Sequence, residues 1–164
     1  MLNEKDLKFL KRSVELAKIS LDKGDEPFGS LLVSKEGKVL YEGHNEVSSG
    51  DQTRHPEFAI ARWAANNLTK EQRKEATVYT SNEHCPMCAA AHGWVGLGKI
   101  VYAASSKQLK EWLKEFGASP SRVNPLPIED VIKDTLVIGP VEEFSKTIKS
   151  YHKENYLKNK RTTK

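Results

Sequence analysis

The sequence predicts a three-layer α/β sandwich, with helices on both faces of a mixed sheet of about five strands. Three observations carry this. Strand-like and helix-like segments alternate along most of the chain, the first two strand-like runs are separated by only a turn, and the later ones are separated by helical stretches. A turn joins antiparallel neighbours, whereas parallel neighbours need a crossover of about a dozen residues or more, so the sheet must be of mixed sense.

Each element follows from its residues. Leu7, Leu10, Val14, Ala17 and Leu21 recur at three- and four-residue spacing and place a helix over residues 4–22, stopped at Lys23-Gly24-Asp25. Leu31-Leu32-Val33 and Val39-Leu40-Tyr41 flank Lys35-Glu36-Gly37-Lys38, a hairpin in which Gly37 supplies the positive φ of a tight turn. Gly43 to Asp51 is rich in turn formers and reads as a loop. Glu57 to Asn67 carries Phe58, Ala59, Ile60, Trp63, Ala64 and Ala65 and is the second helix. Pro56 stands at its start, where a missing N–H would be unpaired anyway.

Thr69 to Glu75 is polar and reads as a connector, and Ala76-Thr77-Val78-Tyr79-Thr80 has the composition of a strand. Met87 to Val95 is a helix of small residues, followed by the strand Lys99-Ile100-Val101-Tyr102-Ala103. Leu109, Trp112, Leu113 and Phe116 mark a helix that ends at Gly117, and prolines at 120, 125 and 127 keep the next segment irregular. Thr135-Leu136-Val137-Ile138 is the last strand, and Val141 to about Asn155 is the closing helix, with Phe144, Ile148 and Tyr151 on one side.

Composition bounds the classes of function. With 164 residues, 38% of them hydrophobic, the chain supports one domain with its own core, read here as spanning 1–164. The first residues are polar and charged, and no apolar run approaches membrane-spanning length, so a soluble cytoplasmic protein without membrane contact is expected. Both cysteines lie in one C-x-x-C, which excludes a multi-bridge secreted framework and leaves metal or redox use. Much of the net charge of +4 gathers towards the end of the chain, where Lys158, Lys160, Arg161 and Lys164 form a basic tail at about 157–164. Such a tail attracts phosphate; its plainer reading is a solvated, frayed terminus.

The chemistry concentrates in Arg54-His55-Pro56-Glu57 and Glu83-His84-Cys85-Pro86-Met87-Cys88. Residues three apart at a helix start share a face, so Cys85 and Cys88 reach one ion, and His55 makes a third ligand. Three protein ligands leave the fourth tetrahedral position to water, the catalytic rather than the structural pattern of zinc. Glu57, two positions beyond the imidazole, is placed to move protons beside that water, the H-x-E … C-x-x-C arrangement of zinc-dependent base deaminases.

Further residues extend the match. Pro27-Phe28-Gly29, Gly43-His44-Asn45, His55-x-Glu57, Thr80-Ser81-x-Glu83-x-Cys85-Pro86-Met87-Cys88, Trp94 and Ile100-Val101-Tyr102-Ala103 resemble the cytidine deaminase-like superfamily. The likeness is to bacterial guanine deaminases and yeast-type cytosine deaminases, with the tRNA adenosine deaminases as cousins; it runs over residues 5–105. It implies Zn2+ held by His55, Cys85 and Cys88, with Glu57 carrying protons between water, the ring nitrogen and leaving ammonia. It further implies Asn45 hydrogen-bonded to the base, Phe28 and Trp94 near the pocket, a small-molecule base as substrate, and a homodimer.

The chain departs from the family in three places. Pro56 replaces the usual alanine, His84 the usual proline, and Ser105-Ser106-Lys107-Gln108 stands where guanine deaminases carry an acidic residue. His84 reads as a surface or loop residue, and His92 and His152 as ordinary structural or surface histidines. Each site residue also has a plainer role. The cysteines suit a redox couple, a fourth ligand from His84 would close the zinc site, Asn45 suits a turn, and Phe28 and Trp94 suit core or interface. The function read from all this is hydrolytic deamination of a free base, guanine- or cytosine-type. The alternatives are tRNA adenosine deaminase-like editing and a non-catalytic zinc-stabilised binding module.

Overall fold

The computed structural model describes residues 2–162. Five strands, β1 (Gly29–Val33), β2 (Val39–His44), β3 (Thr77–Asn82), β4 (Ile100–Ala104) and β5 (Val137–Ile138), form one sheet in the order β2-β1-β3-β4-β5. β1 is antiparallel to both β2 and β3, while β3, β4 and β5 run parallel. The expected mixed sandwich is therefore present. The hairpin turns at Gly37, whose φ of 84° is strained for any residue with a Cβ.

Helices α1 (Glu4–Asp22), α5 (Ser106–Phe116) and α6 (Glu142–Thr162) cover one face, joined through a core of Leu10, Val14, Ala17, Leu31, Tyr79, Val101, Trp112 and Ile148. Helices α2 (Pro56–Asn67) and α4 (Pro86–Val95) cover the other, where Leu32, Ile60, Ala64, Val78 and Leu97 meet. Leu31 and Leu32 enter opposite layers because successive strand side chains alternate faces. At the head of β1 a Cβ on Gly29 would lie 2.4 Å from the Ala17 backbone nitrogen, so only glycine lets α1 approach there.

Two elements differ from expectation. Residues 70–75, expected as a connector, form helix α3 (Lys70–Glu75). Thr69 and Gln72 close a reciprocal capping box that satisfies its first backbone donors. None of its residues is buried, so it left no apolar period to read. The last helix runs on to Thr162, so the basic tail is helical through its described part rather than frayed. Glu154 and Lys158 pair one turn apart at 2.7 Å, and Lys160 lies over the Tyr156 ring. Lys164 lies outside the described residues.

α1 is locked to the sheet by a buried carboxylate. Asp6 accepts from the Tyr79 hydroxyl at 2.6 Å and from Lys99 Nζ at 2.9 Å, and caps its own helix through Asn3. Burial alone would raise its pKa, but the bonds from Tyr79 and Lys99 outweigh this and hold it below the usual carboxylate range. Asp6→Asn should therefore cost about 1–3 kcal/mol at pH 7. A carboxylate depressed in the folded state contributes above its unfolded pKa, near 4, and loses that contribution as pH falls through the folded value. Denaturant titrations of the two proteins should differ at pH 7 and converge as the pH falls through that depressed folded value; a gap unchanged by acidification would assign the effect to packing.

Candidate active site

His55 and Cys85 are the N-cap residues of α2 and α4, each followed by a proline at the first helical position. Both helices thus direct their free N–H groups and positive dipole ends at one point, which favours anionic sulfur. Cys88 comes from the first turn of α4. His55 Nδ1 lies 3.6 Å from the sulfur of Cys85 and 3.6 Å from that of Cys88. A tetrahedral zinc with bonds near 2.3 Å to sulfur and 2.0–2.1 Å to nitrogen holds such ligands roughly 3.6 Å apart, so the donors fit the ion as they stand.

Their protonation suits a cation. The neighbouring Cys88 thiol, with help from His55 against the cost of burial, brings the Cys85 thiol down to about 4. Cys88 is correspondingly held far up, by Cys85, by burial and by the charge of Glu57, and His55 is raised by its bond to Cys85. A divalent ion would replace protons held among these three donors. Among the described residues the group consists of His55, Cys85 and Cys88. His84 does not join it: its ring is buried, not on the surface, and packs edge-on against His92 at 5.3 Å. The closed four-ligand alternative therefore has no support, and a fourth position is left for water.

Glu57 sits over this group in the first turn of α2 and is 6% exposed. Its Oε1 lies 2.7 Å from the hydroxyls of both Ser30 and Thr80, which are 2.7 Å from each other. These residues face one another across β1 and β3, so strand register builds the clamp. Oε2 turns to the metal side, where the Cys88 thiol donates to it over a long 4.0 Å. Burial raises the Glu57 pKa against the hydrogen bonds from Thr80 and Ser30. The arrangement presents one oxygen for proton transfer and holds the other still.

Asn45 is fully buried. Its backbone N–H donates to Phe28 O at 3.0 Å, and its Oδ1 accepts from Val47 N at 3.1 Å. The turn role and the site role therefore coexist, with Nδ2 left as a buried donor without a partner. Phe28 is half-buried, its ring 5.1 Å from that of His152 on α6. Trp94 is not brought to the cluster: it stands at the far end of α4 from Cys85 and is 90% exposed.

Several residues escaped the sequence reading. Ser30 and Thr80 lie within quoted motifs, yet only their register shows what they hold. Glu26 is a half-buried carboxylate with no hydrogen bond of its own among the described residues; burial raises its pKa against the charge of His55. Glu83 accepts from the backbone N–H groups of Ile128 and Ser106, tying the irregular segment to the metal loop. His92 and His152 are buried, as the structural reading had them.

The model of the cytidine and deoxycytidylate deaminase zinc-binding region matches residues 3–104. The chain belongs to this zinc-binding deaminase family. A probable cytosine deaminase of Schizosaccharomyces pombe is 32% identical over 121 residues, 73% of this chain and 72% of its own. A tRNA-specific adenosine deaminase of Aquifex aeolicus is 31% identical over 101 residues, 61% of this chain and 66% of that one. The X-ray structure of guanine deaminase from Bacillus subtilis superposes with a TM-score of 0.58 at 32% identity, covering 77% of this chain and 83% of that one. The chain is thus a hydrolase that cleaves a C–N bond, and zinc is the deaminase's metal. No helix among the described residues is long and apolar enough to cross a membrane.

Proposed function

We propose that this deaminase acts on a free nucleobase or a related small aminated heterocycle, guanine- or cytosine-type, as a single cytoplasmic domain spanning 1–164. The observation that carries this is the clamped Glu57 carboxylate, whose second oxygen faces the sulfur of Cys88 among the three metal donors; the buried Asn45 amide, which lacks an acceptor, supports it. Zinc held by His55, Cys85 and Cys88 supplies an electrophilic centre that acidifies water. Glu57 Oε2 takes a proton from the attacking water and passes it to the ring nitrogen. It then takes the remaining proton from the added hydroxyl and delivers it to the exocyclic nitrogen, so that the C–N bond breaks with ammonia as leaving group and a carbonyl in its place. Asn45 Nδ2 holds the ring in plane by donating to it.

Confinement favours a base over a polynucleotide: α6 brings His152 against Phe28, narrowing the site on that side. The similarity to tRNA-specific enzymes motivates the second reading, in which the substrate is a tRNA adenosine. Ammonia release from guanine, cytosine, isocytosine, adenine, their nucleosides and unmodified tRNA decides between them. Turnover of tRNA with none of the free bases would overturn the proposal. The homodimer implied by the family resemblance belongs to this reading, with the exposed Trp94 as a surface for the second copy, and sedimentation tests it.

Asn45→Ala provides a further check. With Oδ1 engaged by Val47, the loss falls on one donor to the substrate and on the local turn. We expect kcat/KM to fall by a factor corresponding to about 1–3 kcal/mol, with zinc content unchanged. Unaltered kinetics would remove Asn45 from the pocket.

A further inference from the structure

We infer that Asn82 is a specificity residue whose side-chain NH2 reads a carbonyl oxygen of the base, so that the deaminase prefers oxo-substituted heterocycles over their diamino counterparts. This rests on the base-deaminase reading and narrows its substrate class. Asn82 closes β3, two residues after Thr80 and three before Cys85. Its amide meets His152, whose ring packs on Phe28 at the head of β1.

The two ends of its amide are treated differently. Asn82 Oδ1 faces His152 Nε2 at 3.3 Å and Ser81 Oγ at 3.4 Å. Ser81 Oγ already accepts from Gly29 N, so its own proton is free to go to Asn82. Burial pushes His152 down to about 3, so its ring is neutral at pH 7, and the tautomer protonated at Nε2 is the one that pairs with Asn82 Oδ1. Two donors on Oδ1 set the orientation of the amide and leave Nδ2 buried without an acceptor.

Asn45 repeats the pattern. Its Oδ1 is engaged and its Nδ2 is orphaned, and its backbone is tied to Phe28, the neighbour of the Gly29 that binds Ser81. Buried donors in native proteins are paired by protein, water or ligand. Two unpaired amide donors, both linked to Phe28, Asn45 through its backbone and Asn82 through His152, ask for a substrate edge that offers acceptors, a carbonyl oxygen among them. An amino group in the carbonyl's place would set donor against donor.

Equilibrium binding of guanine against 2,6-diaminopurine, and of cytosine against 2,4-diaminopyrimidine, tests this on zinc-loaded Glu57→Gln protein, which holds ligand without turning it over. The oxo member of each pair should bind at least about ten-fold more tightly. Adding Asn82→Leu should remove that preference by weakening the oxo member alone, and Asn82→Asp, which keeps the shape but replaces the donor by an acceptor, should invert it. Zinc content and melting temperature establish that each variant is folded. If the oxo members show no preference, or do not bind, or keep their preference in a folded Asn82→Leu protein, Asn82 has no such role. If the preference and its loss are observed while wild-type protein releases ammonia from none of the four, the assignment of Asn82 stands and the deaminase reading of the substrate fails.

Discussion

Glu57→Gln is expected to lower ammonia release by at least the roughly 10² to 10⁴ typical of a removed general acid-base group, and by more because one carboxylate serves several proton transfers in a turnover. The glutamine keeps the volume of the side chain and an oxygen for the Ser30 and Thr80 hydroxyls. What it loses is the basic oxygen facing the metal donors. Zinc content and melting temperature should therefore stay near those of wild type, and kcat should fall far more than substrate affinity. A variant that lost zinc together with activity would show Glu57 to be a ligand or a structural residue instead. Ser30→Ala offers a milder companion: one hydroxyl of the clamp goes, Oε1 loses one of two donors, and kcat should drop without loss of metal.

The second large effect is on the metal. Cys88→Ala should take zinc occupancy and turnover down together, by more than the roughly 10- to 100-fold that follows removal of a metal ligand's outer partner. Cys88 is the fully buried member of the group, and no other residue described here can replace it. Chelation of the wild-type protein should give the same loss, reversed by added zinc. Because zinc binds the folded state, the melting temperature should also rise with free zinc in wild type and not in Cys88→Ala. A wild-type protein that carries no metal, and whose thiols cycle with dithiols, would favour the redox couple over the deaminase centre.

Much of the site was legible because its signals are short-range. The three-residue spacing of Cys85 and Cys88 and the two-residue spacing of His55 and Glu57 mark a metal site and a carboxylate near it without reference to the fold around them. The helix starts were equally readable, since Pro56 and Pro86 are suited to the position after an N-cap. The amphipathic period of α1 and the turn at Gly37 are likewise properties of a few neighbouring residues. Where a segment carried no apolar period, as in α3, or continued past its last apolar contact, as in α6, the pattern was silent, and capping bonds and ion pairs decided the outcome.

The sequence by itself thus determined a zinc deaminase on a mixed α/β sheet, with its ligands and its carboxylate named. Tertiary structure alone decided how that carboxylate is held and what surrounds it. Ser30 meets Thr80 only because β1 pairs with β3 in one register, across 50 residues of chain, and a slip of one position would turn the hydroxyl of the slipped strand to the other face. His152 reaches Asn82 from 70 residues away because α6 packs back across the sheet. Trp94, a pocket residue by resemblance, is left in solvent at the far end of α4. Ligand spacing is a local property of the chain, whereas register, burial and the partner left to each buried amide depend on the packing of all the layers at once.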